Sequence, residues 1–273
     1  MAESHTLTTP DGTLYYEVRG SGPVLVLTGA PMAAQEFAPV ADILAADRTV
    51  VTHDPRGIGR SPLNDPEQDS TPRLRADDVV ALLDALGADR ADLLGSSGGA
   101  VTALAAAVHH PDRFGTVIAH EPPVLGVLPD ADAQHAATEA IIETYRRDGA
   151  GAAFGAFMAN AGFPVPEGDG QERASEPEPG GQDLADAHRF FVHELRGTTR
   201  YAPDTDALRT GPVRVVVGLG TESSPLLTDR TSRELAGLLG DGPVMFPGGH
   251  GGFTDDPAGF AQTLLRVLGR RMP

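Results

Sequence analysis

A glycine-rich turn around Ser97 is the stretch whose residue types and spacing point most directly to chemistry. Gly95-Ser96-Ser97-Gly98-Gly99 fits the pattern G-x-S-x-G, with Ser97 at its centre. Small neighbours permit a turn so sharp that the serine backbone is strained and its hydroxyl projects at the start of a helix. Unpaired backbone N–H groups at a helix start can stabilise an oxyanion. We therefore predict that Ser97 is a nucleophile.

A serine hydroxyl needs a base, and His250 is the best placed of the nine histidines. It follows the last predicted strand in a glycine-flanked loop, where its neutral imidazole can accept the serine proton and return it to the leaving group. His53 and His120 end predicted strands on the side of the sheet where active sites form. We expect these two histidines to line the substrate pocket.

The elements that must position these residues form an alternating pattern. Short apolar runs separated by segments of helical spacing predict a parallel sheet covered by helices on both faces. A hairpin is predicted at the N-terminus, over residues 6–9 and 13–18. Buried strands are predicted at residues 24–27, 49–52, 92–94, 116–119, 213–217 and 244–246, and helices at 37–46, 74–86, 99–109, 232–239 and 257–268.

The alternation stops between residues 124 and 208, which contain no convincing buried strand. Helices are predicted there at 131–147 and 183–196, separated by a Glu-, Gly- and Pro-rich stretch, 164–181, that predicts a mobile loop. We interpret 124–208 as a helical cap inserted into a core made of residues 1–123 and 209–273. Most of the cap aromatics are expected to form its own core, while Phe157, Met158 and Phe190 are expected to line an apolar pocket.

Four stretches in this order resemble the α/β-hydrolase superfamily, specifically its cap-bearing, esterase-like branch with a serine nucleophile. They are LTGAP (27–31), HDPRGIGRS (53–61), GSSGG (95–99) and PGGHGGFTDDPAGF (247–260). The resemblance implies the α/β-hydrolase fold, with a mostly parallel twisted sheet, helices on both faces and an inserted helical cap. It also implies an oxyanion hole formed by the backbone N–H groups of Ala30 and Gly98. Thr28 stands where the family usually has histidine.

The carboxylate that orients the base remains a choice between two glutamates. The family usually supplies this acid after the strand that follows the cap, three residues beyond a glycine. Here Glu222 comes one position later than that spacing. Glu121 ends the strand after the serine turn, where some lipases of the superfamily place their acid. The chain order of serine, acid and histidine holds for both. We prefer Glu222 and keep Glu121 as the alternative.

The amino-acid composition disfavours several classes of binding partner and of chemistry. The net charge is −17, and all 21 basic residues are arginine. A field of this sign disfavours nucleic acid and anionic membrane surfaces as partners. Without lysine there is no Schiff-base chemistry, and without cysteine there is no thiol nucleophile or disulfide. We expect no organic cofactor, no metal and no membrane partner. No signal peptide or membrane-spanning run is visible, which predicts a cytoplasmic protein.

The leading hypothesis is hydrolysis of a carboxylic ester or lactone with a bulky apolar part, through an acyl-enzyme on Ser97. A second hypothesis keeps the same residues but makes the protein a perhydrolase, or an acyl-transferring, cyclising or other non-hydrolytic enzyme of natural-product metabolism. A third is a degenerate hydrolase that only binds a small ligand, which the shifted acid and Thr28 would favour. Haloalkane dehalogenase and epoxide hydrolase are disfavoured, because both need aspartate in place of Ser97.

Overall fold

The computed structural model describes residues 2–164 and 180–269 of the 273-residue chain, and a single eight-stranded sheet lies at its centre. The spatial order is β1-β2-β4-β3-β5-β6-β7-β8. Strands β1 and β2 form the predicted hairpin, β2 pairs antiparallel with β4, and every later pairing is parallel. The strands are β1 Glu3–Thr9, β2 Gly12–Arg19, β3 Val24–Thr28, β4 Thr49–His53, β5 Ala91–Ser96, β6 Phe114–His120, β7 Arg214–Gly220 and β8 Val244–Phe246.

Helices connect the parallel strands, as the alternation predicted. In chain order they are α1 Ala38–Leu44, α2 Pro72–Ala85, α3 Gly98–His109, α4 Ala131–Asp148, α5 Ala150–Ala161, α6 Gly181–His188, α7 Leu195–Thr199, α8 Thr205–Thr210, α9 Leu227–Leu239, α10 Gly252–Asp255 and α11 Pro257–Val267. Between α6 and α7 the backbone is π-helical over Arg189–Glu194. No helix within the described ranges is long and apolar enough to cross a membrane.

Two apolar layers cover the sheet, because successive strand residues point to opposite faces. Val26 and Leu93 belong to the layer that packs against α2 and α3. Leu25, Leu27 and Leu94 belong to the layer against α1 and α11. All five side chains are fully buried. The covered faces explain why these strands read as continuous apolar runs in the sequence.

The insertion, residues 124–208, is helical where the structure describes it and has a small apolar core of its own. Helix α5 was not predicted, and the predicted loop 164–181 lies for the most part outside the described residues. Its last residue, Gly181, begins α6. The insertion's function as a cap stays a prediction. Its apolar core consists of Ile141, Ile142, Ala153, Phe190, Phe191 and Leu195.

A buried ion pair fixes the loop that follows β4 to helix α2. The Arg56 guanidinium donates to both carboxylate oxygens of Asp78, through Nε and Nη2, each at 2.7 Å. Both side chains are almost fully buried. A paired geometry of this kind compensates the cost of removing two charges from water, but it leaves a large penalty if only one partner is deleted.

Arg56→Met should therefore lower the free energy of unfolding by about 3–5 kcal/mol, because Asp78 stays buried without its counter-charge. Urea denaturation at pH 7 measures the effect. The matched control is Arg73→Met on α2, the helix that also carries Asp78. The Arg73–Asp77 pair is exposed and should contribute about 1 kcal/mol or less. An equal loss in both variants would contradict a special role for the buried pair.

Candidate active site

The turn between β5 and α3 holds Ser97 in a strained conformation. Its φ and ψ are 56° and −124°, a region that residues with a side chain rarely adopt. Gly95 and Gly99 make the turn possible: a Cβ on Gly95 would lie 2.0 Å from the Gly99 carbonyl oxygen, and one on Gly99 would lie 2.1 Å from that of Thr28. The Ser97 N–H donates to the His120 carbonyl at 2.9 Å, which ties the turn to the end of β6.

His250 and Glu121 form a close pair at the carboxyl ends of the strands. His250 Nδ1 lies 2.6 Å from Glu121 Oε2. Glu121 directly follows β6 and has a positive φ of 54°, so it is the second strained non-glycine residue of the described chain. His250 follows β8 in the glycine-rich loop that the sequence indicated. With Nδ1 donating to the carboxylate, the imidazole keeps Nε2 free to accept a proton.

Three further donors hold the Glu121 carboxylate, which is fully buried. Oε1 accepts from the Gly220 N–H at 2.9 Å and from the Ser223 hydroxyl, and Oε2 accepts from the Thr228 hydroxyl at 2.8 Å. Burial works to raise the pKa of Glu121, but the hydrogen bond from His250, the charge interactions with His120 and His250 and the hydrogen bond from Ser223 together outweigh it and lower that pKa to about 2. Glu121 is therefore ionised at neutral pH and can stabilise a positive charge on His250.

This geometry favours Glu121 over Glu222, the glutamate that we preferred from the sequence. Glu222 is exposed, and its side chain has no hydrogen bond within the part of the chain that the structure describes. Its backbone N–H donates to the Gly248 carbonyl at 2.9 Å, so Glu222 supports the loop that carries His250 through its main chain. The spacing after β7 indicated the right neighbourhood, but the carboxylate that reaches the imidazole comes from the adjacent strand β6.

The two expected oxyanion donors lie side by side next to Ser97. A Cβ placed on Gly98 would lie 2.4 Å from the Ala30 carbonyl oxygen, so the two backbones are in direct contact. Neither the Ala30 nor the Gly98 N–H has a hydrogen-bond acceptor among the described residues. Both residues line the same cavity as Ser97 and His250. This arrangement leaves two N–H groups available for a developing negative charge.

That cavity has a volume of about 270 Å³ and lies between the strand ends and the insertion. Its wall includes Phe157, Met158 and Phe190, the three residues of the insertion that we expected there. Phe154, Ile141 and Leu125 add to the apolar surface, while Glu194, Thr198 and Thr199 supply a polar side. The cavity therefore brings a serine, a carboxylate-paired histidine and two free N–H groups together beside a mostly apolar surface.

Known proteins resemble this chain along most of its length. A family model described as the alpha/beta hydrolase fold matches residues 22–257. The chain belongs to the α/β-hydrolase family. This α/β hydrolase is 31% identical over 268 residues to a Bacillus subtilis protein named Uncharacterized hydrolase YraK, covering 96% of this chain and 95% of the relative. It is 28% identical over 284 residues to Zearalenone hydrolase of Bionectria ochroleuca, with 100% of both chains covered.

Solved structures agree on the fold. A thermophilic esterase from Thermogutta terrifontis matches with a TM-score of 0.74 and 22% identity, over 98% of each chain. An enol-lactonase from Burkholderia xenovorans matches with a TM-score of 0.68 and 22% identity, over 97% of this chain and 100% of the other. At these identities the likeness shows a shared fold.

Two histidines expected in the pocket of the hydrolase do not line it. His53 is buried, and its Nε2 lies 2.9 Å from the Thr28 hydroxyl, so this pair holds the loop after β3. His120 is fully buried between Phe246 and Phe260, with Nδ1 3.1 Å from the Ser96 hydroxyl. Burial is the main cause that lowers the pKa of His120 to about 4. His53 is the last residue of β4 and His120 the last residue of β6, and both side chains are buried away from the cavity.

Sequence reasoning missed Ser223, Thr228 and Glu194. The first two lie in the hydroxyl-rich stretch after β7, and that clustering of Ser and Thr was the available signal. Glu194 is fully buried, and both of its carboxylate oxygens lack hydrogen bonds among the described residues. Its nearest charged partner is Arg75, with Nη1 3.8 Å from Oε2. A lone Glu on a predicted helix gave no sign of burial.

Proposed function

We propose that this α/β hydrolase is a serine hydrolase that cleaves a carboxylic ester or lactone with a bulky apolar part. The observation that carries the proposal is the 2.6 Å contact between His250 Nδ1 and the ionised, fully buried Glu121, in a loop that faces the same cavity as Ser97. A base oriented by a carboxylate beside a strained serine is the arrangement that acyl transfer to a hydroxyl requires.

In the proposed reaction, Ser97 Oγ attacks the substrate carbonyl while His250 Nε2 takes its proton. Glu121 stabilises the resulting imidazolium, and the Ala30 and Gly98 N–H groups hold the oxyanion, at about 3–4 kcal/mol per donor by analogy with other serine hydrolases. His250 then protonates the leaving alcohol. Water, deprotonated by the same imidazole, attacks the acyl-enzyme and releases the acid and free Ser97.

The walls of the cavity support the choice of substrate. The Phe190 ring stacks with Phe154 and meets Phe157 edge-to-face, and the three rings form one aromatic side of the cavity. These rings belong to the insertion, which we propose acts as a cap over Ser97. An apolar acyl or alcohol part gains free energy by leaving water for such a surface, at about 25 cal/mol for each Å² buried.

Three observations argue against a protein that only binds a ligand. Glu121 can serve as the acid, since its carboxylate takes part in four hydrogen bonds, one of them with His250. Thr28 has a structural partner in His53. Two relatives matched over at least 95% of their length are named hydrolases, which supports a hydrolytic reaction.

A chain-length series of 4-nitrophenyl esters tests the proposal. If an acyl-enzyme forms and its hydrolysis is the slow step, a fast burst of about one nitrophenol per enzyme should precede steady turnover. Ala161→Leu should lower kcat/KM for bulky acyl groups at least tenfold and leave the acetyl ester nearly unchanged, because Ala161 lines the cavity. Ala152→Leu, at an exposed position of the same helix, is the matched control.

No turnover of any ester in the series would contradict the proposed reaction. Equal losses for short and long acyl groups in Ala161→Leu would contradict the proposed substrate pocket while leaving the chemistry intact. Product analysis with hydrogen peroxide or an alcohol present would show whether water is the preferred acceptor of the acyl group.

A further inference from the structure

A cluster of two histidines and a glutamate lies outside the cavity. It forms where the loop after β4 meets α6 and the π-helical segment that follows α6. Glu67, His188 and His193 each offer one ligand atom, and these three atoms lie within 4.8 Å of one another. His193 Nε2 is 3.7 Å from Glu67 Oε2. Imidazole nitrogen and carboxylate oxygen are ligands that zinc and neighbouring transition metals accept in proteins.

The π-helical segment is what brings the two histidines together. His188 and His193 are five residues apart, and in an α-helix that spacing turns side chains about 140° away from each other. A π-helix closes its hydrogen bonds at i to i+5, so residues with this spacing share a face. The backbone is π-helical over Arg189–Glu194, and the two imidazole centroids are 5.6 Å apart. The sequence alone therefore gave no metal signal here.

Each histidine has its second ring nitrogen already engaged. His193 Nδ1 lies 3.0 Å from Asp69 Oδ1, and His188 Nδ1 lies 3.1 Å from the Tyr145 hydroxyl. Such contacts fix the imidazole tautomer and leave the opposite nitrogen, Nε2, free to bind a metal. His193 Nε2 is buried and has no hydrogen-bond partner among the described residues. His193 itself is only 8% exposed.

We propose that Glu67, His188 and His193 form a transition-metal site that takes Zn²⁺ through two imidazole nitrogens and one carboxylate, with a fourth position open to water. Asp69 supports the site from behind His193. Small side-chain movements are needed, because bound ligands lie about 2.0–2.2 Å from the metal. The positive charge of Arg189 is also near, but its Nη1 donates to the Pro66 carbonyl at 3.1 Å and thereby fixes the loop that carries Glu67.

Such a site would join the loop between β4 and α2, in the core, to the segment of the insertion that carries the two histidines. Glu67 belongs to the segment between β4 and α2, while both histidines belong to residues 181–199. A main-chain hydrogen bond already links the two, from the Ser70 N–H to the His193 carbonyl at 2.9 Å. Because a metal that binds only the folded state stabilises it, zinc should raise Tm by several degrees when present at about 100 times Kd.

Calorimetric titration of the untagged full chain with ZnCl₂, after removal of metal with EDTA, tests the site. We expect one Zn²⁺ per chain and at least a tenfold weaker Kd in Glu67→Gln and in His188→Asn, both at exposed positions that the folded core does not depend on. Asp69→Asn should weaken binding about tenfold through His193. His5→Ala, an exposed histidine in β1, is the matched control and should bind as the wild type does.

Absence of a one-to-one site in the wild type would overturn the proposal. Unchanged affinity in both Glu67→Gln and His188→Asn would also overturn it, because the metal would then be bound elsewhere. The thermal shift supplies an independent readout: Tm should rise with zinc in the wild type and in His5→Ala, but not in His188→Asn.

Discussion

Ser97→Ala should lower kcat for an aryl ester about a million-fold, which is the loss seen when a serine nucleophile is removed from a complete triad. The strained turn and the Ala30 and Gly98 N–H groups are unaffected by this change. A residual rate about 10³–10⁴ above that in water should therefore remain from binding and the oxyanion hole. Single-turnover kinetics with excess enzyme measures rates this low and separates chemistry from product release.

A serine-directed phosphonate reagent gives an independent readout of the same residue. The intact mass of the wild type should rise by one adduct, and that of Ser97→Ala should not change. Ser96→Ala is the sharpest control, because Ser96 is the neighbouring serine, is buried, and contacts His120 instead of the cavity. This variant should still be labelled. Equal labelling of Ser97→Ala and the wild type would remove Ser97 from the mechanism.

Glu121→Gln should reduce kcat about 10⁴-fold, the size of effect found when the acid of a triad is made neutral. Both oxygens of Glu121 accept hydrogen bonds, from Gly220, Ser223, Thr228 and His250. A glutamine must direct its NH₂ group at one of these sets of donors, and it supplies no charge to stabilise the imidazolium. Steady-state kinetics at pH 7 measures the loss, and urea unfolding shows whether the variant is folded.

Glu222→Gln is the matched control for this substitution, since it makes the same chemical change two residues beyond β7. It should keep kcat within about twofold of the wild type, because the Glu222 side chain is exposed and only its backbone supports the His250 loop. A large loss in Glu222→Gln together with near-normal Glu121→Gln would reverse the assignment. If neither variant lost activity, the proposed acid–base pair would be wrong.

The sequence predicted the sheet well, because its parallel strands are covered on both faces and appear as continuous apolar runs. It predicted less of the insertion. Helix α5 is rich in Ala and Gly and lacks a polar stripe, so it has no helical period to detect. The start of α9 was placed five residues too late, at Ser232 instead of Leu227, since its first turns contain Thr, Asp and Arg in place of apolar residues.

The proposed nucleophile, base and oxyanion donors come from local motifs, because each depends on a short stretch with its own backbone requirements. The proposed acid, Glu121, was only the alternative to Glu222, because the choice depends on which of two strand ends comes nearer to His250. Strands β6 and β7 are neighbours in the sheet, so both glutamates were plausible from the sequence alone. The positive φ of Glu121, followed by Pro122 and Pro123, turns its side chain toward Gly220 and Ser223, and no spacing rule shows that.

In the proposed function, the position of the insertion in the chain separates the reacting residues from those that contact the substrate. All of the proposed catalytic and oxyanion residues lie before residue 124 or after residue 208, while the aromatic wall of the cavity lies within the insertion. The Glu121 carboxylate, immediately before this segment, accepts from Gly220 and Ser223 after it, so the two halves of the core are joined without the intervening helices. A related hydrolase could exchange this one segment as a cassette and acquire a different substrate range without rebuilding its chemistry.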